Sequence, residues 1–510
     1  MESRFLSKNS LFTRYHAVKN TFYLAGLAAS VMVGMNVAQA AESLPLAAPS
    51  DHQTGVDLIA RGKYLAIAAD CAACHTNPES KDLFAGGYAI HSPMGIIYST
   101  NITPSTKFGI GNYSEAQFSK AVRDGIRADG DHLYPAMPYP SYAGLTDADI
   151  NALYAYFMHG VKPVDVKPQQ TALSFPFNLR FSMTGWNLLF LHNRPFKPED
   201  DQDATWNRGK YLVDTVAHCS ECHTPRNTLM ALQGGKALYS GTLLGSWHAP
   251  NLTSDPVSGL GSWSDKDLAQ YLQTGHVNGK AQAAGPMAEA VTNSLQYLHD
   301  DDIKAIITYL RTLPAVRDPS QTHHAASFGT DTSQANDHVD THVNNSDTAV
   351  RGTQPIAKFF AADASGQTIY DAACSSCHQP DGKGTQDGFY PSLSHNTTLG
   401  GDSPNNLVSA ILFGVQRTVG DKSVLMPAFG PYSDVQALSD KQVATLSNYL
   451  FKQYGNPELS VTEEEVTTIR QGGPTPLIAK IAEPASIAGG VVVVVLLILL
   501  AVWRLRRKSR

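Results

Sequence analysis

The sequence predicts an all-α protein made of three tandem domains followed by a C-terminal transmembrane helix. The first observation is a Cys-x-x-Cys-His motif that begins at Cys71, Cys219 and Cys374, so successive copies are 148 and 155 residues apart. This spacing is typical of repeated domains. The second observation is that apolar residues recur at helical spacing within each repeat, after residues that commonly cap helices. The third is an uncharged apolar run near the C-terminus.

The repeated motif indicates the cofactor. Its copies use all six cysteines of the chain. In c-type haem, two such thiols form thioethers with the porphyrin and the adjacent histidine binds the iron. One copy alone would also fit a redox dithiol or half of a zinc site, but three copies with no cysteine left over favour haem. We therefore predict three covalently bound haem c groups, attached at Cys71, Cys74, Cys219, Cys222, Cys374 and Cys377, with His75, His223 and His378 as proximal iron ligands.

Each motif lies in a short domain, and the three domains are predicted at residues 51–160, 206–315 and 358–455. Domains 1 and 2 are close relatives, since Arg61–Leu65 recurs as Arg208–Leu212 just before the second motif. Domains of about 100 residues are short for a self-sufficient core. We expect haem to supply the missing apolar mass, so that the domains do not fold stably without it.

Three helices are predicted in each domain: one before the motif, a middle helix and a final helix. Thr146 provides a hydroxyl cap for the first final helix, and Asp147 and Asp149 place carboxylates near the positive end of its dipole. The middle helices are predicted at 114–124, 264–274 and 404–413, and the final helices at 145–159, 298–312 and 438–451.

The loop between the middle and final helices is expected to supply the sixth iron ligand. Methionine is the usual partner of histidine in cytochromes c. Met426 is the only methionine of domain 3, Met137 stands before a proline, and Met287 directly follows Pro286. Adjacent proline can hold such a loop rigid. We predict Met137, Met287 and Met426 as axial ligands, with His132 as the alternative in domain 1.

The proximal histidines also need an acceptor that orients each ring. Two sources are open. One is the side chains of a loop that contains Asn101, Asn251 and Ser392 in the three domains. The other is the backbone of the same loop at Pro250 and Pro391.

Both termini carry targeting signals. Residues 1–40 combine a basic leader, an apolar run and a final Ala-Gln-Ala, which predicts a signal peptide. After a connector at 456–483, the 20 residues of 484–503 match the ~20 needed to cross a bilayer. The tail at 504–510 holds five cations, which the positive-inside rule places in the cytoplasm. We therefore expect a single-pass protein of the bacterial inner membrane, with its haem domains in the periplasm.

The net charge of the chain bears on whether its partner is a nucleic acid or a protein. The whole chain carries −6, to which the leader contributes +3 and the tail +5, so the body between them carries −14. An acidic body argues against nucleic acid and favours a basic docking face on a protein partner.

The two linkers differ in composition. Residues 161–205 are rich in aromatic side chains, and they either pack across two domains or contact a partner or the membrane surface. Residues 316–357 are polar and rich in Thr, Ser, Asn and Asp, which predicts a flexible tether that lets domain 3 move.

Several runs give the chain a family resemblance. They are Tyr98–Pro104, Gly109–Gly111, Leu133–Tyr142 and Ala152–Phe157. In these runs the chain resembles the membrane-bound, three-haem cytochrome c subunit of bacterial alcohol and gluconate dehydrogenase complexes. The resemblance covers roughly residues 55 to 455 and is strongest in domain 1. Domain 3 is more compact and looks like a shorter cytochrome c domain.

The resemblance implies a role in electron transfer. Members of that family accept electrons from a catalytic subunit that carries a flavin or a quinone cofactor, and they pass them to ubiquinone. It implies no substrate-oxidising site on this chain, and no Ser/His/Asp set, phosphate loop or dinucleotide motif stands out. The alternatives are a haem enzyme such as a peroxidase, which would need an open iron position, and the cytochrome subunit of a terminal oxidase.

Overall fold

A computed structural model of the protein describes residues 55–329 and 360–482. The predicted signal peptide, most of the second linker, the apolar segment 484–503 and the basic tail lie outside these residues. Within them, each of the three domains has the predicted order of first helix, haem motif, middle helix and final helix.

The first helix of each domain crosses the final helix at a glycine. In domain 1, α1 (Gly55–Ala68) crosses α5 (Asp147–Ala155) at Gly62, where a Cβ would lie 1.9 Å from the backbone oxygen of Ala152. Gly209 occupies the same place in domain 2, where a Cβ would lie 1.9 Å from the oxygen of Ala305. Only glycine permits backbones to approach this closely.

Four of the middle and final helices start at a capping side chain. Ser114, Thr146, Ser264 and Ser439 each accept a hydrogen bond from a backbone amide of the first turn. In chain order the other helices are α2 (Cys71–His75), α3 (Glu115–Ser119), α4 (Tyr139–Tyr142), α6 (Ser182–Phe190), α7 (Ala204–Tyr211), α8 (Ser220–His223), α9 (Asp265–Thr274), α10 (Gly285–Asn293), α11 (Asp300–Thr312), α12 (Gly366–Ala373), α13 (Ser375–His378), α14 (Thr397–Gly400), α15 (Asn405–Phe413), α16 (Asp440–Tyr454) and α17 (Glu463–Arg470). Single π-helical turns extend α3, α5 and α7.

The predicted all-α class is wrong, because the described residues also form four small antiparallel sheets. One hairpin precedes the histidine-orienting loop in domains 1 and 2, another precedes Met287 in domain 2, and the hairpin of domain 3 ends at Met426. The strands are β1 (Ala89–Ser92), β2 (Gly95–Tyr98), β3 (Ala172–Leu173), β4 (Thr242–Leu244), β5 (Trp247–Ala249), β6 (His276–Val277), β7 (Ala281–Gln282), β8 (Val415–Val419) and β9 (Lys422–Met426).

The structure also contradicts the predicted C-terminal transmembrane helix and the single-pass inner-membrane localisation that depended on it. Across 55–329 and 360–482, no helix is both long enough and apolar enough to span a bilayer. The segment 484–503, on which that prediction depended, lies outside these residues.

Domains 1 and 2 share one hydrophobic core and a reciprocal polar contact. Arg61 donates to Asp149 of its own domain at 2.6 Å, and Tyr211 of domain 2 donates to the same carboxylate. Reciprocally, Arg208 donates to Asp302 of its own domain at 2.7 Å, and Tyr64 of domain 1 donates to that carboxylate at 2.6 Å. The repeated Arg-Gly-Lys-Tyr-Leu segment therefore joins the two domains about a local two-fold relation.

Domain 3 has its own core and packs against domain 2. The Asn406 side chain accepts from the amide of His248 and donates to its carbonyl, both at 2.9 Å. Residues 316–329 of the second linker are also held, since the Asn251 side chain donates to the Val316 carbonyl at 2.7 Å. The flexibility predicted for the linker 316–357 as a whole stays a prediction.

Candidate haem sites

Each Cys-x-x-Cys-His motif folds into a single helical turn. The turn places two cysteines three positions apart on one side and presents the histidine at its end. The residue before the first cysteine is left-handed in domains 1 and 2, with φ of 52° at Asp70 and 40° at His218. This change of direction separates the first helix from the haem-binding turn.

A backbone carbonyl orients each proximal histidine through its Nδ1 atom. The distance to the carbonyl oxygen is 2.6 Å from His75 to Thr100, 2.7 Å from His223 to Pro250 and 2.9 Å from His378 to Pro391. The backbone alternative is thus confirmed for domains 2 and 3. An Nδ1–H that donates to a carbonyl leaves Nε2 free to bind iron.

The repeated asparagines have a different role from the one considered in the sequence. The Asn101 side chain donates to the Val164 and Val166 carbonyls at 2.8 and 3.0 Å, as Asn251 does to Val316. They tie the loop to the chain that follows the final helix. These hydrogen bonds fix the preceding carbonyls, those of Thr100 and Pro250, which accept from the proximal histidines.

One cavity of about 1340 Å³ brings together all three proximal histidines and all three predicted methionine ligands. Met137 lies in the loop before α4, Met287 in the first turn of α10, and Met426 at the end of β9. Five of the six cysteines line the same cavity; Cys377 does not. The cavity is therefore continuous through the three domains.

Burial sets the protonation of the motif residues. It raises the pKa of Cys71, Cys74, Cys219 and Cys374 to about 12, so the free thiols stay protonated at neutral pH. Burial also lowers the pKa of His223 to about 4, against the opposing effect of its carbonyl bond. A neutral imidazole is the form that binds iron.

Two of the haem-binding turns meet at the interface between domains 1 and 2. Ser141 donates to the Glu221 carboxylate, inside the second motif, at 3.0 Å. Tyr142 donates to the Ala69 carbonyl at 2.8 Å, and its ring lies 5.5 Å from that of His218. The first two sites are consequently neighbours, an arrangement that suits transfer of electrons between haems.

The aromatic linker braces the methionine loop of domain 1, a role that its composition did not reveal. Tyr134 donates to the Phe177 carbonyl at 2.9 Å, and Tyr139 donates to the Asn187 side chain at 2.7 Å. Arg180 donates to the His132 carbonyl at 2.7 Å. His132 itself bonds to Thr184 of the linker at 3.0 Å through Nε2.

Comparison with known proteins agrees with this geometry. The family described as cytochrome c matches residues 59–160, 207–314 and 364–453, and the chain belongs to that family. The chain is 48% identical over 490 residues to the fructose dehydrogenase cytochrome subunit of Gluconobacter japonicus, covering 94% of this chain and 96% of the relative.

Two further relatives are more distant. An alcohol dehydrogenase (quinone) cytochrome c subunit of Komagataeibacter europaeus is 38% identical, over 82% of this chain and 85% of the relative. A gluconate 2-dehydrogenase cytochrome c subunit of Pantoea cypripedii is 37% identical, over 84% of this chain and 93% of the relative. This chain is accordingly a three-haem electron-transfer cytochrome, of the class that these relatives represent.

Proposed function

We propose that the chain is the cytochrome subunit of a fructose-oxidising dehydrogenase complex. It accepts electrons from a catalytic subunit that holds a flavin or a quinone cofactor, and it delivers them to ubiquinone. The observation that supports fructose as the substrate is the 48% identity, over 94% of this chain, to a fructose dehydrogenase subunit. Identity to the alcohol and gluconate relatives is 38% and 37%, over 82% and 84% of the chain.

The proposal assigns each haem iron one histidine and one methionine. His75 with Met137, His223 with Met287, and His378 with Met426 are the three pairs. Covalent attachment is through the two cysteines of each motif. Haem would supply the one-electron chemistry when bound, the carbonyl-oriented imidazoles and the three methionines would hold its iron, and a peroxidase would instead leave one iron position open.

The experiment is haem reduction in the co-purified complex, followed by visible absorption. Fructose, gluconate, ethanol, acetaldehyde and sorbitol are added in turn, and a ubiquinone analogue is then added to the reduced protein. We expect rapid reduction by fructose alone and reoxidation by the quinone. Reduction by gluconate or ethanol in place of fructose would reassign the substrate, and failure of the quinone to reoxidise the haems would remove ubiquinone as acceptor.

A second measurement tests the ligands. Six-coordinate haem with a methionine ligand resists binding of cyanide and carbon monoxide, whereas an open iron binds them at once. We expect all three haems to resist at neutral pH. A haem that binds carbon monoxide immediately in the unaltered protein would favour a haem enzyme over an electron carrier.

A further inference from the structure

Helix α6 of the aromatic linker is apolar on its outer side as well as on its inner side. The inner side packs on domain 1 through Trp186, whose ring lies 6.3 Å from that of Tyr139. The outer side presents Leu188 and Leu189, together with Phe181 immediately before the helix. Their side chains are 86%, 62% and 73% exposed. A helix that is apolar all round is normally covered on both sides.

The three exposed side chains share one face of α6. Counted from Phe181, the two leucines come seven and eight positions later, which is about two helical turns. None of the nine residues of α6 is charged. A solvated helix of the same protein differs, since the outer side of α11 presents Asp300, Asp301 and Lys304. The outer face of α6 is therefore an exposed apolar patch of the kind that marks an interaction site.

Cations flank this face on both sides. Between residues 166 and 198 the chain has four cations and no acidic residue, although the body of the protein is acidic overall. The cations are Lys167, Arg180, Arg194 and Lys197. The region around α6 thus has the opposite sign of charge from the rest of the body.

The two cations that follow α6 are free to bind an anion. Arg194 and Lys197 are exposed, and within 55–329 and 360–482 neither forms an ion pair. The acidic run that begins at Glu199 belongs instead to α7 of domain 2. Glu199 pairs with Lys210 of α7 at 3.2 Å, and Asp203 caps that helix.

Charge decides between the two kinds of surface that could cover an apolar face. The acidic body favours a protein partner with a basic docking face, which the cations beside α6 would repel. A helix that lies in a membrane interface instead combines an apolar face with cations that attract anionic headgroups. We propose that the outer face of α6 docks on an anionic lipid surface, with its three apolar side chains in the lipid and Arg194 and Lys197 at the phosphates.

The length of α6 and its contacts define the geometry of docking. Nine residues are too few to cross a bilayer, so the helix lies along the surface. The linker also holds the methionine loop of domain 1, through the bonds from Tyr134 to the Phe177 carbonyl and from Tyr139 to Asn187. Docking through α6 therefore turns the methionine side of domain 1 towards the lipid.

The test is a spin label on α6 of the purified cytochrome carrying three haems. Its six cysteines all belong to haem motifs, so Leu188→Cys provides a single thiol for a nitroxide. The protein is mixed with phosphatidylcholine vesicles that contain phosphatidylglycerol, and relaxation of the label by oxygen is compared with relaxation by a water-soluble nickel chelate. We expect the oxygen-to-nickel ratio to rise severalfold on these vesicles. The readout is local, so lipid binding by another part of the chain does not change it.

Two controls separate lipid contact at α6 from other effects. A label at Lys304→Cys, on the outer side of α11, should keep the ratio that it has in solution. In the protein labelled on α6, Arg194→Gln with Lys197→Gln should lower the ratio on anionic vesicles. Lys441→Gln with Lys452→Gln removes the same charge from α16 of domain 3 and should leave the ratio unchanged.

Four results would overturn the proposal. A label on α6 that stays accessible to nickel on anionic vesicles would show that the face does not meet lipid. An equal ratio on vesicles of phosphatidylcholine alone would remove the role of charge. Shielding of the label in solution, before lipid is added, would assign the face to a second copy of the chain. Shielding that requires the dehydrogenase subunits would assign it to that partner.

Discussion

Gly62 shows how one residue sets the distance between two helices. Its α-hydrogen faces the backbone of α5, and a Cβ there would lie 1.9 Å from the Ala152 oxygen and 2.7 Å from the Tyr156 Cβ. Gly366 has the same relation to the final helix of domain 3, 2.4 Å from the Tyr449 Cβ. A contact with backbone cannot be relieved by a change of rotamer, so the helices would have to separate.

We expect Gly62→Ala to lower the free energy of unfolding of the haem-loaded protein by about 2 kcal/mol, because the crossing is overpacked. Chemical denaturation followed by haem absorption measures the loss. The control is Gly185→Ala in α6, where no atom lies within 4 Å of the added methyl group. There alanine should be neutral or stabilise by up to about 1 kcal/mol. Equal effects of both substitutions would contradict the explanation.

A matched pair of methionines tests the sixth ligand in domain 1. Met137→Leu keeps the volume but removes the thioether, so one haem should lose its sulfur ligand, bind carbon monoxide and drop in reduction potential. Met158 packs against the core and is absent from the cavity wall. Met158→Leu should therefore leave the haem spectrum and all potentials unchanged. Carbon monoxide binding and redox titration distinguish the two variants.

The helix α17 is joined to α16 by the ion pair between Arg470 and Asp440. Arg470 donates to both oxygens of Asp440, at 2.9 and 2.7 Å, and Thr467 donates to the same carboxylate at 2.6 Å. The hydrogen bond from Arg470 is the main cause that lowers the pKa of Asp440, with Thr467 adding to it and burial opposing it. The stability that this pair contributes is present above the ordinary aspartate pKa of about 3.9 and is lost as pH falls through the lowered value.

Asp440→Asn should therefore destabilise domain 3 by about 1 kcal/mol at neutral pH and by progressively less in acid. Denaturation curves of the two proteins measured from pH 6 down to pH 3 provide the comparison. The difference between them should shrink with acidity. A difference that is constant with pH would mean that shape, rather than charge, holds α17 in place.

The middle and final helices were predicted with nearly correct bounds because caps and apolar periodicity are local signals, whereas α6, α10, α14 and α17 were not predicted. The strands were missed for two different reasons. In β8 and β9, Val419 pairs with Lys422 across the two-residue turn Gly420-Asp421, and a Gly-Asp pair after a run with β-branched residues is a hairpin signal that could have been recognised. The strands β6 and β7 have two residues each and carry no such pattern.

For the whole molecule, the sequence predicted three haem domains but not how they pack. The Tyr64–Asp302 bond joins residues 238 positions apart, and no local pattern announces it. The contacts of domain 3 are likewise not marked by any local pattern, because polar side chains build its interface. Asn405 and Ser409 both donate to the Ser246 carbonyl, at 3.1 and 2.8 Å.

Loosening this interface should be measurable without unfolding any domain. Asn406→Ala removes two hydrogen bonds to the His248 backbone, each contributing about 1 kcal/mol. We expect the His248 amide to exchange with solvent more than tenfold faster, while amides of α11 keep their protection. Hydrogen exchange followed by mass spectrometry checks both. Unchanged exchange at His248 would show that the remaining contacts suffice to hold domain 3.

The reciprocal contact between domains 1 and 2 makes the stability of each domain depend on the folding of the other. Asp149 and Asp302 each accept one hydrogen bond that only the tyrosine of the neighbouring domain supplies, in addition to those from Arg61 and Arg208. A chain in which one of the two domains lacks its haem would therefore leave a buried carboxylate short of a donor in the domain that is loaded. Missing haem in one domain would therefore destabilise both domains. Molecules with incomplete haem attachment would be open to proteolysis in domains 1 and 2 together.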